Sequence, residues 1–410
     1  MEHKKTDLIL LFITRITRLF AYGFLSVTLA LYLAEIGLNV KEIGLLFTLT
    51  LIGDSIISLW ITTSADYRGR RRMLVLGAVL MIMAGMVFTM TRNPIFLILA
   101  AIVGVISPSG YETGPFLSIE QAALTQLVSD RQRTHIFAWY NLVGSFATAA
   151  GSLAGGVMVH IMEGSGFSRF DSYRSVLAGY TLSGLVLLLV FFFLSSAVEV
   201  KSHSNIQTIK RFLGLHRSRN AVLRLSALFS MDAFAGGLIM QSIFAYWFYV
   251  RFGVDAGTLG GIFFGANILA GVSALLAVRL ASRIGLINTM VFTHIPSNIL
   301  LCLIPLMPNL NLAIAVMMLR YSISQMDVPT RQSFTMAVVS PYERSAAAGI
   351  TNIARSVGSS LSPALSGVFL ASPALLSMPF FMAGGMKIIY DLLLFYNFRT
   401  MRLPEEKKSL

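Results

Sequence analysis

Charge is scarce in this 410-residue chain. Asp, Glu, Lys and Arg make up only 12% of it, about half the ~25% usual in soluble proteins. Cysteine is scarcer still: Cys302 stands alone, inside an apolar run, which excludes an intrachain disulfide and any cysteine-built metal site. The six histidines are scattered, with no H-E-x-x-H or comparable ligand spacing. Neither a phosphate-binding G-x-x-x-x-G-K-S/T loop nor a dinucleotide glycine fingerprint occurs, which argues against an ATP-driven pump and leaves no basis for a cofactor, a metal or an enzyme.

What is present is apolar: 55% of residues are hydrophobic and the mean hydropathy is +0.73, the composition of a polytopic membrane protein. The net charge of +13 does not point to nucleic acid, because the bases fall in short segments flanking apolar runs rather than along one polar face. The first apolar segment runs for roughly thirty residues, longer than a signal peptide's core of about 7–15, so it is expected to stay and span.

At about 20 apolar residues per crossing, the chain divides into twelve, near 8–35, 42–64, 72–91, 95–127, 134–160, 173–198, 222–250, 258–281, 287–307, 311–338, 344–371 and 377–399. With both termini inside, the alternating loops gather most bases, among them Arg68, Arg70, Arg71, Arg72, Arg131, Arg133, Lys210 and Arg211, on the cytoplasmic face. One long polar connection, near 201–221, reads as a basic, amphipathic linker at the lipid surface between two domains, 1–200 and 222–410. These halves are related. A shift of 216 sets Gly253 on Gly37 and Gly285 on Gly69; a shift of 211 sets Asn352 on Asn141, Gln332 on Gln121 and Gly367 on Gly156. The expected fold is therefore an all-α membrane protein, twelve transmembrane helices in two pseudo-symmetric six-helix bundles.

Between the second and third crossings runs Ala65-Asp66-x-x-Gly69-Arg70-Arg71-Arg72, which resembles the signature loop of the major facilitator superfamily (MFS), with Thr62 for its leading glycine and Ser64 for its leucine. Ala147-x3-Gly151-Ser152-x2-Gly155-Gly156 in crossing five resembles the MFS antiporter signature, with Ser152 for the proline. Its repeat, Gly358-x3-Ser362-Pro363-x2-Ser366-Gly367, keeps the proline. The same spacing also suits plain close packing of helices. The resemblance implies alternating access by a monomer in the lipid bilayer, a small-molecule substrate, and a conformational role on the cytoplasmic side for Asp66, Gly69, Arg70 and Arg71.

Ionisable groups inside the bilayer cost at least ~2.5–3.5 kcal/mol on insertion scales, so each needs a partner or a task. Six bases, Arg15, Arg18, Arg320, Arg331, Arg355 and Lys387, face six acids, Asp54, Glu112, Glu120, Asp232, Asp327 and Asp391. Such balance suits mutual pairing and not a channel lined by one sign of charge. Crossing four is broken by two prolines and two glycines around Glu112, which marks a segment facing protein or a watery cavity; Glu112 reads as a substrate or proton site, or as a carboxylate satisfied by Arg18. Asp54, Asp232 and Asp327 are further proton-coupling candidates, or structural partners of Arg15, Arg18 or Arg355. The 211 shift sets Arg331 on Glu120: either the two meet as a cytoplasmic gate, or each pairs within its own half. Lys387 and Asp391, four residues apart, suggest a local ion pair, and the rings at Phe244, Tyr246, Trp247, Phe248 and Tyr249 an interfacial belt.

The cavity candidates are Arg18, Tyr22, Glu112, Gln121, Asn141, Arg331, Gln332 and Asn352. The expected function is secondary active transport of a small organic solute, coupled to protons or another ion and in the efflux direction, in the plasma membrane. The alternatives are a proton-coupled symporter for an organic anion held by Arg18 and Arg331, and a non-transporting sensor of the same fold.

Overall fold

Glycine, proline and asparagine punctuate one helix after another. In a computed structural model, residues 2–111, 114–128, 130–199, 218–339 and 343–399 are described, with all their side chains except those of 2, 3, 66, 130–135 and 344–346. The first half holds α1 (Glu2–Ser26), α2 (Leu29–Glu35), α3 (Val40–Arg68), α4 (Arg70–Met90), α5 (Pro94–Val103), α6 (Phe116–Leu127), α7 (Asp130–Gly164) and α8 (Arg169–Phe192). The second holds α9 (Arg219–Leu238), α10 (Gln241–Phe252), α11 (Ala256–Ile284), α12 (Leu286–Leu303), α13 (Leu310–Tyr321), α14 (Asp327–Val338), α15 (Arg344–Leu370) and α16 (Met378–Phe398). Asn39 and Glu42 form a reciprocal cap at the start of α3. The Asn93 side chain accepts from the Ile95 N–H, with Pro94 at the first helical position of α5.

Twelve crossings can be traced among the described residues. Nine spans are long and apolar enough to cross a membrane, one of them α9 with α10. The other three are α5 with α6, α13 with α14, and α15, and these three carry much of the buried polarity. The repeat read from the sequence extends to the helix ends: Ala256–Ile284 begins and ends 216 residues after Val40–Arg68, and Asp327–Val338 begins and ends 211 after Phe116–Leu127. Gly69 and Gly285, matched by the first shift, share a left-handed φ of +96° and +86°, a conformation that favours glycine.

By packing, the chain forms two units, one of α1 to α8 with Met240–Asn267, the other of α9 and everything after Ile268. The polar connection expected near 201–221 lies, up to residue 217, outside the described residues; the chain breaks at Ile239 between α9 and α10, and α10 packs on α2 within the first unit. Small residues set the closest helix contacts. A Cβ on Gly151 would lie 2.0 Å from the Phe20 carbonyl oxygen and one on Gly155 2.3 Å from that of Phe24, so α1 and α7 touch backbone to backbone. In the second unit a Cβ on Gly358 would meet the Ser230 carbonyl oxygen at 2.3 Å, locking α15 to α9. The rings of Phe244, Trp247 and Phe248 are fully buried, Phe244 stacked on Phe248 and edge-on to Phe263, and Trp247 edge-on to Phe248. That corrects their reading as an interfacial belt; only Tyr249 reaches appreciable exposure.

Candidate functional site

The first unit buries one acid under several donors. Arg18 on α1 reaches Glu120 on α6 with both guanidinium arms, at 2.8 and 2.7 Å, and both side chains are fully buried. Thr14, one helical turn before Arg18, donates to the same carboxylate at 2.7 Å, and the Tyr140 hydroxyl on α7 donates as well. The Phe116 ring lies under the Arg18 guanidinium at 4.8 Å, and Arg15 stands over Tyr140 at 4.7 Å. Gly144 makes room for Arg15, since a Cβ there would sit 2.7 Å from its Nε.

The second unit also gathers donors on one acid, but here all three are bases. Asp232 on α9 accepts from Lys387 of α16 at 2.5 Å, Arg331 of α14 at 3.0 Å and Arg355 of α15 at 3.1 Å. Arg331 also donates to Asp327, one turn before it, at 2.8 Å. Lys387 is thus held by Asp232, while Asp391 pairs with His294 at 2.9 Å and accepts from Asn298 at 3.3 Å. The local Lys387–Asp391 bridge expected from spacing gives way to these partners, because inter-helix groups lie closer than the neighbour one turn away.

The two sides of the expected gate are occupied separately, Glu120 by Arg18 and Arg331 by Asp232 and Asp327. Tyr22 is fully buried; Gln121 is half-buried; Asn141, Gln332 and Asn352 are exposed. Asp54 on α3 is buried and accepts the Gly114 N–H at 3.1 Å, and its other oxygen has no hydrogen-bond partner among the described residues. Glu112 and the Asp66 side chain lie outside the described residues. Among the described residues no group of three acids, histidines or cysteines is arranged to hold a metal ion.

Residues 11–363 match the family model described as Major Facilitator Superfamily. The chain belongs to this superfamily. It is a multi-pass membrane transporter, not an enzyme, and MFS transporters bind small-molecule substrates within the membrane. An uncharacterized membrane protein of Saccharomyces cerevisiae is 30% identical over 95% of this chain and 93% of its own length. The solved nucleoside transporter NupG superposes with a TM-score of 0.74 at 15% identity, covering 97% of this chain and 99% of that one. A D-xylose-proton symporter does so with 0.71 at 15%, over 94% and 96%.

In this MFS chain the signature turn closes on its own unit. The backbone N–H groups of Arg70 and Arg71, at the start of α4, donate to the Glu199 carboxylate at 2.7 and 3.1 Å, where a helix N-terminus favours a negative group. The Arg70 side chain reaches Gln126 at 2.6 Å, and Arg71 the Phe192 carbonyl oxygen at 2.5 Å. Sequence reasoning missed Glu199, whose role rests on a contact 128 residues away.

It also missed a buried polar seam. Gln241 donates to Ser26 at 2.9 Å and to Ser152 at 3.1 Å, and Asn267 donates to Gln241 at 3.3 Å. The Ser242 hydroxyl lies 2.6 and 2.7 Å from the carbonyl oxygens of Ser26 and Pro108. The available signal was the polar pair Gln241-Ser242 set in the break between α9 and α10.

Proposed function

We propose that this transporter moves a small organic solute by alternating access, driven by protons, with both termini on the cytoplasmic side of the plasma membrane. One observation carries the reading. On α15, Asn352 is exposed and the Arg355 side chain is 30% exposed, while Ile353, Val357 and Leu361 form a separate, apolar open stripe. Arg355 lies eleven residues into the helix, ~16 Å along it at 1.5 Å per residue, near the middle of a ~30 Å hydrocarbon layer. A guanidinium at that depth opens onto water, not lipid, so the polar stripe lines an aqueous cavity. Asn141, the repeat partner of Asn352, is exposed in the same way on α7.

Proton coupling is supported by a buried carboxyl in each unit. Asp54 can take up a proton without giving up an ion pair among the described residues, and Asp232 can do so only by releasing three cations. The efflux direction draws no separate support from the small-residue stripe, because Gly151 and Gly155 are used in close contact with α1.

Proteoliposomes carrying an imposed pH gradient, screened against metabolites and drugs in both directions, test the reading. Solute movement that stops when a protonophore collapses the gradient is the expected result, and Asp54→Asn should weaken the dependence on that gradient. A ligand that binds but never crosses, under any gradient, overturns it in favour of a sensor.

A further inference from the structure

We propose that the cluster around Asp232 is the binding site for a small organic carboxylate, and that Asp232 is a built-in carboxylate whose place the solute takes once Asp232 is protonated. The inference rests on the transport reading of this same cavity and names its substrate class.

Charge is the first argument. Arg331, Arg355 and Lys387 converge on a site whose bonded acids are Asp232 and Asp327. Each of these bases is held by a carboxylate, and a cation at a largely buried site needs an anionic partner, so a solute that takes the place of Asp232 beside Arg355 and Lys387 has to carry a negative charge. Asp391, one turn after Lys387, is bonded through its two oxygens to His294 and Asn298.

Unused donors are the second. Arg355 makes one hydrogen bond, to Asp232, and its other N–H groups have no protein partner among the described residues. The side chain is 30% exposed, on the helix face that carries Asn352. A guanidinium presents a planar fork that fits a carboxylate with two parallel bonds. Lys387 likewise commits its ammonium to one oxygen of Asp232.

Arg18, the anchor suggested by sequence, cannot serve this purpose: its fork is filled by Glu120 and the pair is fully buried. Arg331 divides one nitrogen between two aspartates and rests on the Phe229 ring at 5.7 Å, which fixes it as framework. Arg355 and Lys387 are the contacts that protonation of Asp232 would free.

The exchange balances. A proton from water adds to an oxygen of Asp232, and the cluster gains one positive charge. The solute carboxylate then pairs with the freed Arg355 and Lys387, and the charge returns to its starting value. No covalent bond changes apart from that O–H. One proton therefore travels with one monoanion in the same direction, without net charge movement. The groups that act on Asp232 are Lys387 on α16, Arg331 on α14, Arg355 on α15 and His294 on α12. Asp327 lies beyond Arg331, and Tyr390 and Asp391 complete the α16 face.

Binding in detergent, with no gradient and no vesicle, separates this inference from the transport reading. The full-length protein is titrated with straight-chain monocarboxylates from acetate to decanoate and with benzoate, against benzamide and benzylamine, by thermal shift and calorimetry. Carboxylates should stabilise the protein, more at about pH 5.5 than at about pH 8, where Asp232 competes; benzamide and benzylamine should not. Arg355→Gln should weaken carboxylate binding about tenfold or more, and Arg355→Lys, which keeps the charge and loses the fork, should recover part of it. Asp232→Asn should bind carboxylates independently of pH; should that variant not fold, the Arg355 pair and the pH comparison in the wild type decide. The inference is overturned if no carboxylate binds, or if Arg355→Gln binds as well as the wild type. Movement of uncharged or cationic solutes in vesicles, without carboxylate binding, would sink the inference and leave the transporter reading standing; carboxylate binding without movement would do the reverse.

Discussion

The two polar clusters are each built on one buried carboxylate and differ in how completely the acid and base satisfy each other. Around Glu120, one guanidinium fork and two hydroxyls fill the carboxylate, and neither Arg18 nor Glu120 keeps any exposed surface. Around Asp232, three bases from three helices share one acid, and Arg355 retains 30% of its side-chain surface with donors to spare. A saturated pair acts as a strut, whereas an under-coordinated one can exchange its partner. The repeat sharpens the contrast, because the 211 shift that aligns α6 with α14 sets Arg355 on Gly144. At that position the first unit has no side chain and admits Arg15 from α1 instead.

The strongest test removes one base from each cluster. Arg18→Met leaves a buried carboxylate without its ion pair, and losing one partner of a buried pair costs about 3–5 kcal/mol. A large drop in thermal stability and in the yield of monodisperse protein should follow. Arg355→Gln leaves Asp232 with Arg331 and Lys387, at a partly open site, and should cost about 1 kcal/mol or less while abolishing transport. Melting curves of the two variants, read beside uptake, decide between them; a stable Arg18→Met and an unfolded Arg355→Gln would exchange the two roles.

A finer test keeps every charge. Tyr140→Phe removes the hydroxyl that donates to Glu120 and preserves the ring against which Phe12 packs edge-on at 5.5 Å. Hydrogen bonds to charged groups contribute about 1.5–3 kcal/mol, so the melting temperature should fall measurably with substrate specificity unchanged. Altered specificity at unchanged stability would mean that this cluster, too, meets the solute.

Periodicity and punctuation carried the fold in the sequence. The twelve crossings, the related halves and even the two glycines of matching φ follow from runs of apolar residues and from shifts that align glycines. Pairing was less legible. Glu120 and Arg331 suggested each other because they occupy repeat positions, yet the rotation of α6 and α14 about their axes turns each toward partners of its own unit. Lys387 and Asp391 face each other by spacing alone, and the tie was broken by Asp232, 155 residues away in the chain. Arg355 went unnoticed as a candidate ligand contact for a related reason. Its place on the stripe with Asn352 and Ser356, flanked by the apolar row Ile353, Val357 and Leu361, was there to read, but exposure is a property of the packed bundle.

The smallest effect falls at the signature turn, where the halves differ again. Gly69 and Gly285 start α4 and α12 in the same backbone conformation, but the α4 N-terminus receives the Glu199 carboxylate and that of α12 has no side-chain cap. Glu199→Gln keeps an acceptor for one N–H and loses the charge that complements the helix N-terminus, worth about 0.3–1 kcal/mol. The loss should shrink as salt rises from low to physiological ionic strength, where the Debye length falls to about 8 Å. A melting difference that ignores salt would assign the role of Glu199 to hydrogen bonding alone. A loss well above ~1 kcal/mol would mean that Gln126, which donates to the Glu199 backbone oxygen at 2.7 Å and accepts from Arg70, depends on this carboxylate, so that the whole turn is held as one cooperative unit.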